Sequence, residues 1–134
     1  MEVFFSGGEA ATRKFAAAFA KGLKKGAVVL LGGDLGAGKT VFVKGMAEGL
    51  GIGEEVVSPT YTYLNVYGDY LYHYDCYRLS SGEDAVALGL TDYFGGDNVC
   101  VVEWAQNIRS ALPEGCVEIT IEKTGENERK ITIQ

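Results

Sequence analysis

Two short runs of apolar residues are typical of strands buried in a parallel sheet, since neither run leaves a polar residue to face solvent. They are residues 27–31, Ala-Val-Val-Leu-Leu, and residues 99–102, Val-Cys-Val-Val. After the first run, apolar residues recur at helical spacing from Val41 to Leu50, and Gly51 suits the position after a helix end. The pattern predicts a strand, a loop and a helix in succession, with a second core strand further along the chain.

The N-terminal residues predict a strand followed by a helix. Residues 1–5 have the composition of a short strand. Ser6 and Glu9 stand three positions apart, which is the spacing of a capping box, and apolar residues then recur on one helical face. We therefore expect a helix that begins after Ser6 and continues to about Lys24.

Four further segments carry shorter patterns. They are a strand-like stretch at 60–74 with a turn at Gly68-Asp69, a short helix and turn at 82–95, a short helix ended by Pro113, and a hairpin of residues 117–121 and 130–133 around a turn at 125–127. Together with the core strands they predict one α/β domain over residues 1–134. Its sheet is expected to be parallel near residues 27–31 and antiparallel elsewhere.

Tyrosines are concentrated in one part of the chain, with seven of the eight in residues 61–77. Such a series could stack on nucleic-acid bases or pack across an antiparallel pair of strands. Because lysine and arginine are not interleaved with these tyrosines, packing is the favoured interpretation.

Composition favours a single core without a membrane span. The 134 residues are 47% hydrophobic, and no stretch approaches the ~20 apolar residues of a transmembrane helix. Glu2 stands where a secretory signal would carry basic residues. Cys76, Cys100 and Cys116 are odd in number and lack the spacing of metal ligands, so we expect them to be small core residues in a reducing cytoplasm.

The formal net charge of −6 narrows the possible partners. Tight binding of nucleic acid needs a basic surface that displaces counterions, and this chain is acidic. If the protein acts on a nucleic acid, we expect a partner protein to hold that nucleic acid.

The most specific chemical signal is the segment Gly33-Asp34-Leu35-Gly36-Ala37-Gly38-Lys39-Thr40, a complete G-x-x-x-x-G-K-[ST] phosphate loop. Its glycines let backbone amides close around phosphate oxygens, and the helix that follows adds its N-terminal dipole. Lys39 is expected to contact the β- and γ-phosphates, and the Thr40 hydroxyl to bind Mg²⁺. We predict a nucleotide site over residues 33–41 and a P-loop NTPase-like three-layer sandwich with a mixed, partly antiparallel central sheet.

Two acids follow predicted core strands, where the crevice of an open α/β sheet lies. Glu103 follows residues 99–102 and has the position of an acid that helps to hold Mg²⁺. Asp75 follows residues 70–74. Each could instead be a solvated acid at a strand end, and the functional interpretation is favoured more strongly for Glu103 than for Asp75.

Residues 58–62, Ser-Pro-Thr-Tyr-Thr, occupy the place of a switch segment between the loop helix and the next strand. Ser58, Thr60 and Thr62 are the candidate switch residues, although spacing alone fits a plain proline turn almost as well. His73 is the only histidine, and its alternating strand position favours a structural role. Arg78 follows Asp75 and could pair with an acid or a phosphate, or form an ordinary surface salt bridge.

Taken in order, four segments resemble the TsaE (YjeE) family, the small ATPase of bacterial threonylcarbamoyladenosine tRNA modification. They are the phosphate loop, residues 58–62, His73-Tyr74-Asp75-Cys76-Tyr77-Arg78-Leu79, and Val102-Glu103-Trp104. The resemblance covers nearly the whole chain, including the late Arg129. The phosphate loop alone would not identify this family.

The resemblance implies a set of roles and partners. Lys39 and the loop amides would bind ATP, Thr40 and Glu103 would hold Mg²⁺, and Asp75 would assist the metal or its water. Thr12 resembles the segment beside adenine, and Arg78 and Trp104 are candidates for supporting roles. The implied partners are TsaB and TsaD, of which TsaD transfers the threonylcarbamoyl group to an adenosine of tRNA. We expect tRNA to be contacted only indirectly, through the complex, and we expect no membrane partner.

Two other classes of function fit the phosphate loop. A small-molecule kinase would need an acceptor pocket and usually a basic lid, for which 134 residues leave little room. A nucleotide-dependent binding module without turnover is harder to separate from an ATPase. A GTPase is disfavoured, since the chain has no N-K-x-D-type segment to bind guanine.

Overall fold

The computed structural model describes residues 1–34, 36–59 and 62–134, and these residues form one seven-stranded sheet in the order β1-β7-β6-β2-β5-β4-β3. The strands are β1 (Glu2–Ser6), β2 (Val28–Gly32), β3 (Leu64–Tyr67), β4 (Leu71–Asp75), β5 (Val99–Glu103), β6 (Val117–Lys123) and β7 (Arg129–Ile133). Strands β4, β5, β2 and β6 are mutually parallel, and the pairs β3–β4, β6–β7 and β1–β7 are antiparallel. The predicted mixed sheet is confirmed.

Helices cover both faces of this sheet. They are α1 (Glu9–Lys21), α2 (Lys39–Gly49), α3 (Gly82–Ala87) and two 3₁₀ helices at Leu90–Tyr93 and Ala105–Ala111. Helices α1 and α2 bury the larger core on one face, while α3 and the 3₁₀ helices bury a second core on the other. The predicted three-layer α/β sandwich is therefore confirmed. None of the helices in the described part of the chain has both the length and the apolar character needed to cross a membrane.

The predicted capping box at Ser6 is wrong. Ser6 is the last residue of β1, and the N-cap of α1 is Gly8, without a side-chain hydrogen bond. The Ser6 hydroxyl instead donates to the Gly8 carbonyl at 2.8 Å and lies 2.6 Å from the Thr12 hydroxyl. Pairing of Ser6 with Arg129 of β7 keeps it in the sheet, so tertiary structure overrides the local signal. Helix α1 ends at Lys21, three residues before the predicted end.

The predicted turns agree with the structure better than the predicted start and end of α1 do. Gly51 follows α2 with φ of +74°, and the amides of Gly51 and Ile52 donate to the carbonyls of Glu48 and Ala47, the pattern of a Schellman helix end. Gly68 and Asp69 both have positive φ, 60° and 52°, as a type I′ hairpin between β3 and β4 requires. The predicted strand-like stretch at 60–74 is therefore a hairpin that begins at residue 64.

Most of the tyrosines in the described ranges pack rather than form an exposed series. Tyr67 and Tyr74 are buried, and the rings of Tyr72 and Tyr93 lie 5.0 Å apart. Tyr77 is exposed and makes an edge contact with Trp104. These positions support packing as the main role of the cluster.

Candidate functional site

The phosphate loop connects the buried end of β2 to the first residue of α2, Lys39. Its backbone requires glycine. A Cβ on Gly33, which has φ of +144°, would lie 2.5 Å from the carbonyl oxygen of Ile121. Gly36 and Gly38 also have positive φ, 80° and 103°, and Gly38 is the N-cap of α2. The loop therefore ends by aiming the N-terminal amides of an eleven-residue helix at the carboxyl edge of the sheet.

Lys39 reaches a buried acid on the neighbouring strand. Its Nζ lies 3.7 Å from Glu103 Oε1, and both side chains are less than a tenth exposed. The other Glu103 oxygen, Oε2, lies 2.5 Å from His73 Nε2. Burial of a carboxylate is costly unless it is paired, and these two partners supply the pairing.

Strand register brings these groups together. In the parallel pair β4–β5, Asp75 lies opposite Glu103, and His73 lies two residues earlier on the same face of the sheet. Alternation thus directs His73, Asp75 and Glu103 toward α2 and directs Tyr74 to the other side. Asp75 stays half-buried, and its Oδ1 accepts a hydrogen bond from the Tyr77 amide at 3.0 Å.

Trp104 follows the last residue of β5 and has a backbone conformation that is unusual for a residue with a side chain, φ of +58°. Its ring lies 5.1 Å from Lys39 Nζ and 4.8 Å from the ring of Tyr77. The first distance is that of a cation–π contact, so the indole forms one wall beside the ammonium group.

These groups line one cavity of about 360 Å³ at the carboxyl edge of the sheet. A volume of this size is in the range of small-molecule sites. The described residues that line it are Gly8, Glu9, Thr12, Gly36, Gly38, Lys39, Thr40, Val41, Ser58, Asp75, Glu103, Trp104, Asn127 and Arg129. The lining includes two cations, Lys39 and Arg129, and three carboxylates, those of Glu9, Asp75 and Glu103. The cavity therefore suits an anion and a metal ion bound side by side.

Most of the predicted site residues meet in this cavity. Those that do are Thr12, Gly36, Gly38, Lys39, Thr40, Val41, Ser58, Asp75, Glu103 and Trp104. Thr12 is almost fully buried, and its hydroxyl is already partnered by Ser6. Thr12 therefore contributes to the cavity mainly by its shape, because its hydroxyl already has a hydrogen-bond partner.

The other predicted site residues lie elsewhere. Gly33 and Ala37 form the back of the loop, where Ala37 is packed into the core, and Asp34 is exposed. Arg78 is exposed on the turn after β4, outside the set of described residues that line the cavity. Leu35 lies outside the described residues.

The candidate switch segment is only partly described. Ser58 lines the cavity, and its predecessor Val57 is held by Tyr67, whose hydroxyl accepts from the Val57 amide at 3.0 Å and donates to the Val57 carbonyl at 2.8 Å. Thr62 is exposed and lies beyond the described cavity walls. Thr60 lies outside the described residues. The switch role of these residues stays a prediction.

The sequence drew attention to Arg129 only as part of the family resemblance and gave it no place in the site, and the contact between His73 and Glu103 was not predicted. Arg129 begins β7 and donates to carbonyls of the phosphate loop. The signal that could have found it is alternation, because Arg129 shares a strand face with Ile131, which is buried against α1 and α2. His73 could have been found from its position two residues before Asp75.

Comparison with known proteins identifies the family. The model of the family described as "Threonylcarbamoyl adenosine biosynthesis protein TsaE" matches residues 6–131. The chain is 50% identical over 125 residues to the tRNA threonylcarbamoyladenosine biosynthesis protein TsaE of Bacillus subtilis, covering 91% of this chain and 76% of that protein. It is 49% identical over 113 residues to the protein of the same name from Treponema pallidum, covering 83% of this chain and 84% of the relative.

A solved structure shares the fold as well as the sequence. The crystal structure of YdiB from Bacillus subtilis superposes with a TM-score of 0.84 at 41% identity, covering 98% of this chain and 83% of that one. Since the family model spans nearly the whole chain and the relatives exceed 30% identity, the resemblance drawn from the four sequence segments is confirmed. The chain belongs to the TsaE family of tRNA threonylcarbamoyladenosine biosynthesis proteins.

Proposed function

We propose that this chain binds Mg²⁺ and ATP and hydrolyses ATP as the accessory ATPase of tRNA threonylcarbamoyladenosine biosynthesis. The observation that carries the proposal is one cavity in which the phosphate loop, Lys39 and the carboxylate of Glu103 converge. Membership of the TsaE family supports the biosynthetic role. The cavity supports the proposed binding and hydrolysis of ATP.

The phosphates would lie against the loop and the start of α2. Free amides at the N-terminus of a helix and an ammonium group are the donors that bind phosphate oxygens in loops of this sequence. Lys39 Nζ is held by the Trp104 ring and by Glu103 at 3.7 Å, which is longer than a hydrogen bond. The ammonium therefore retains donors for the β- and γ-phosphates.

Two residues that line the cavity beside the phosphate loop, Thr40 and Glu103, fit Mg²⁺. Thr40 contributes a hydroxyl and Glu103 a carboxylate, and oxygen ligands of this kind are those that Mg²⁺ prefers. His73 fixes Oε2 of Glu103, so that Oε1 is the oxygen that faces Lys39 and the cavity. Bound Mg²⁺ would neutralise charge on the β- and γ-phosphate oxygens.

Asp75 is the candidate for orienting the attacking water. It lies opposite Glu103 in the register of β4 and β5 and lines the same cavity. Its Oδ1 is oriented by the Tyr77 amide, which favours one position of the carboxylate. A fixed carboxylate that accepts a hydrogen bond from water restricts the direction of attack.

The remaining proposed roles are supporting ones. Ser58, with Thr60 and Thr62, would form the switch segment near the γ-phosphate, and Thr12 would shape the adenine side. Trp104 would limit the motion of Lys39 through the cation–π contact. Arg78 would act from the turn after β4, next to Asp75 in the chain.

TsaD and TsaB are the proposed partners. The net charge of −6 disfavours tight binding of tRNA by this chain alone, so tRNA would be contacted only through the complex. In this proposal, ATP hydrolysis resets or activates the TsaD–TsaB transferase between turnovers. The place of action would be the cytoplasm, where tRNA is modified in bacteria.

Calorimetry and phosphate release test the proposal together. The purified chain is titrated with ATP in Mg²⁺, and phosphate release is then measured with and without TsaD and TsaB. We expect binding by the chain alone and faster turnover in the mixture. Absence of binding in both conditions contradicts the proposal. Binding without turnover in any mixture indicates a nucleotide-dependent module, and transfer of phosphate to a small acceptor indicates a kinase.

A further inference from the structure

Arg129 joins the phosphate loop to the hairpin of β6 and β7. It is the first residue of β7, paired with Lys123 of β6 and with Ser6 of β1. The strand directs its side chain to the face covered by α1 and α2, where the loop lies. Residues 36–38 and 129 are more than 90 positions apart in the chain, so the contact depends on the sheet order.

The guanidinium group of Arg129 donates only to backbone carbonyls in the hydrogen bonds of the described residues. Nε donates to the Ala37 carbonyl at 2.8 Å, and Nη2 to the Gly36 carbonyl at 3.3 Å. Nη1 donates to three carbonyls of the hairpin turn, those of Gly125 at 3.3 Å, Glu126 at 3.3 Å and Glu128 at 2.9 Å. One planar group thus ties two loop carbonyls to three turn carbonyls.

The carbonyl contacts orient the loop amides. In a trans peptide the carbonyl and the following N–H point in opposite directions. When Arg129 holds the Ala37 carbonyl, the Gly38 N–H is turned to the opposite side. When it holds the Gly36 carbonyl, the Ala37 N–H is turned away as well, and that N–H donates to the Asp34 carbonyl at 3.0 Å within the loop. The contact with Arg129 therefore sets which groups of residues 36–38 are available to an anion.

The charge of Arg129 also reaches the cavity. Among the ion pairs of the described residues, none involves Arg129, and the side chain lines the cavity beside Gly38. Carbonyl acceptors satisfy its donors without cancelling its charge. A cation held in this way remains available to offset the charge of phosphate groups.

We propose that Arg129 is a positioning residue that holds the phosphate loop in its anion-binding form and connects it to the β6–β7 hairpin. This inference rests on the nucleotide site proposed above. A purely local role, in which Arg129 only stabilises the hairpin turn, would leave the loop and the affinity for nucleotide unchanged.

Three variants separate these roles: Arg129→Ala, Arg129→Lys, and Arg109→Ala as a matched control. Arg109 is an exposed arginine outside the set of described residues that line the cavity. The measurements are Kd for ATP in Mg²⁺, KM and kcat for ATP, the melting temperature, and hydrogen exchange of the loop amides without nucleotide. Lysine keeps the charge but cannot reproduce the planar fork.

We expect Arg129→Ala to raise Kd and KM for ATP by about tenfold or more, with kcat changed by less than about threefold, because the loop carbonyls lose the donor that orients the loop and the cavity loses a positive charge. Loop amides should exchange faster in Arg129→Ala than in the wild type, even without nucleotide. In affinity for ATP and in loop-amide exchange, Arg129→Lys should lie between the wild type and Arg129→Ala. Arg109→Ala should match the wild type in both.

Wild-type affinity together with wild-type loop exchange in Arg129→Ala would overturn the inference while leaving the nucleotide site standing. If the wild type itself does not bind ATP, the proposed function fails, and loop exchange alone decides the inference. Should Arg129→Ala not fold, Arg129→Lys takes its place: weaker affinity and faster loop exchange support the inference, and wild-type values for both overturn it.

Discussion

Strands β4 and β5 present different chemistry on their two faces. The face toward α1 and α2 carries His73, Asp75 and Glu103, and the opposite face carries Tyr74 and Cys100. Each strand is only five residues long, and adjacent residues alternate between the two environments.

The two faces stabilise their buried polar atoms differently. On the α2 side, the Glu103 carboxylate is paired with His73 and Lys39. On the opposite side, the Tyr74 hydroxyl donates to the Leu90 carbonyl at 2.8 Å, and burial raises the pKa of the Cys100 thiol to about 11. The first face thus pairs an acid with basic side chains, whereas on the second face burial favours the neutral form of the Cys100 thiol.

The two faces should therefore allow the proposed nucleotide chemistry and the stability of the fold to be altered separately in the same strands. A change at Asp75 or Glu103, the cavity-lining residues of the α2 face, should act mainly on nucleotide binding and turnover. A change on the opposite face should act mainly on the free energy of unfolding. Substitutions on the two faces test this separation.

The largest expected effect is that of Tyr74→Ala on stability. The side chain is fully buried, so its removal leaves a cavity and should lower the free energy of unfolding by about 3–5 kcal/mol. Tyr74→Phe, which removes only the hydrogen bond to Leu90, should cost about 1 kcal/mol. Urea unfolding measures both. A loss of ATP affinity in folded Tyr74→Phe would contradict the separation of the faces.

Lys39→Ala should lower the affinity for ATP in Mg²⁺ by about 100-fold, since phosphate charge loses a charge-assisted partner in a recessed loop. Its effect on the free energy of unfolding should be smaller than that of Tyr74→Ala, because His73 still pairs with Glu103. Lys44→Ala, on the same helix but outside the described cavity lining, is the control for affinity. Calorimetry that gives equal Kd values for both variants would remove Lys39 from the site.

Glu103→Gln should reduce turnover by about 100-fold while Kd for ATP changes by less than about fivefold, because the residue is proposed to act through the metal. Glutamine keeps an oxygen that accepts from His73 but has no negative charge. Steady-state phosphate release and calorimetry on the same preparation provide the comparison, with the exposed Glu118→Gln as control. Unchanged turnover in Glu103→Gln would exclude a metal role for this carboxylate.

The smallest expected effect is a difference in alkylation rate: the buried Cys76 and Cys100 thiols should react more slowly than Cys116. Burial raises the pKa of Cys76 to about 12 and that of Cys100 to about 11, so each ionises only at high pH. At about pH 8 roughly one Cys100 thiol in a thousand is a thiolate, the form that reacts. Iodoacetamide should therefore label the half-buried Cys116 first, and all three cysteines should react in guanidinium chloride. Rapid labelling of folded Cys100, detected by mass spectrometry, would indicate that this face opens.

Much of the fold and part of the site could be predicted from the sequence, since their signals are local. Continuous apolar runs predicted β2 and β5, and glycine and turn residues predicted Gly51 and the hairpin at Gly68-Asp69. The phosphate loop predicted the connection between β2 and α2.

The errors and omissions concern contacts between distant segments. Ser6 has the spacing of a helix cap but is held in β1 by its pairing with Arg129. The contact of His73 with Glu103 needs the register of β4 and β5. The contact of Arg129 with the loop needs the order of β7, β6 and β2 in the sheet. Strand order and register are tertiary properties that a single sequence leaves open.

The position of Trp104 has a practical consequence. It is the single tryptophan of the chain, and its ring lies 5.1 Å from the ammonium group of Lys39. Indole fluorescence depends on nearby charge and polarity, so emission from the unmodified protein reports directly on the surroundings of that lysine. The chain thus contains a built-in optical probe, with which ligand occupancy can be followed in real time and without a label.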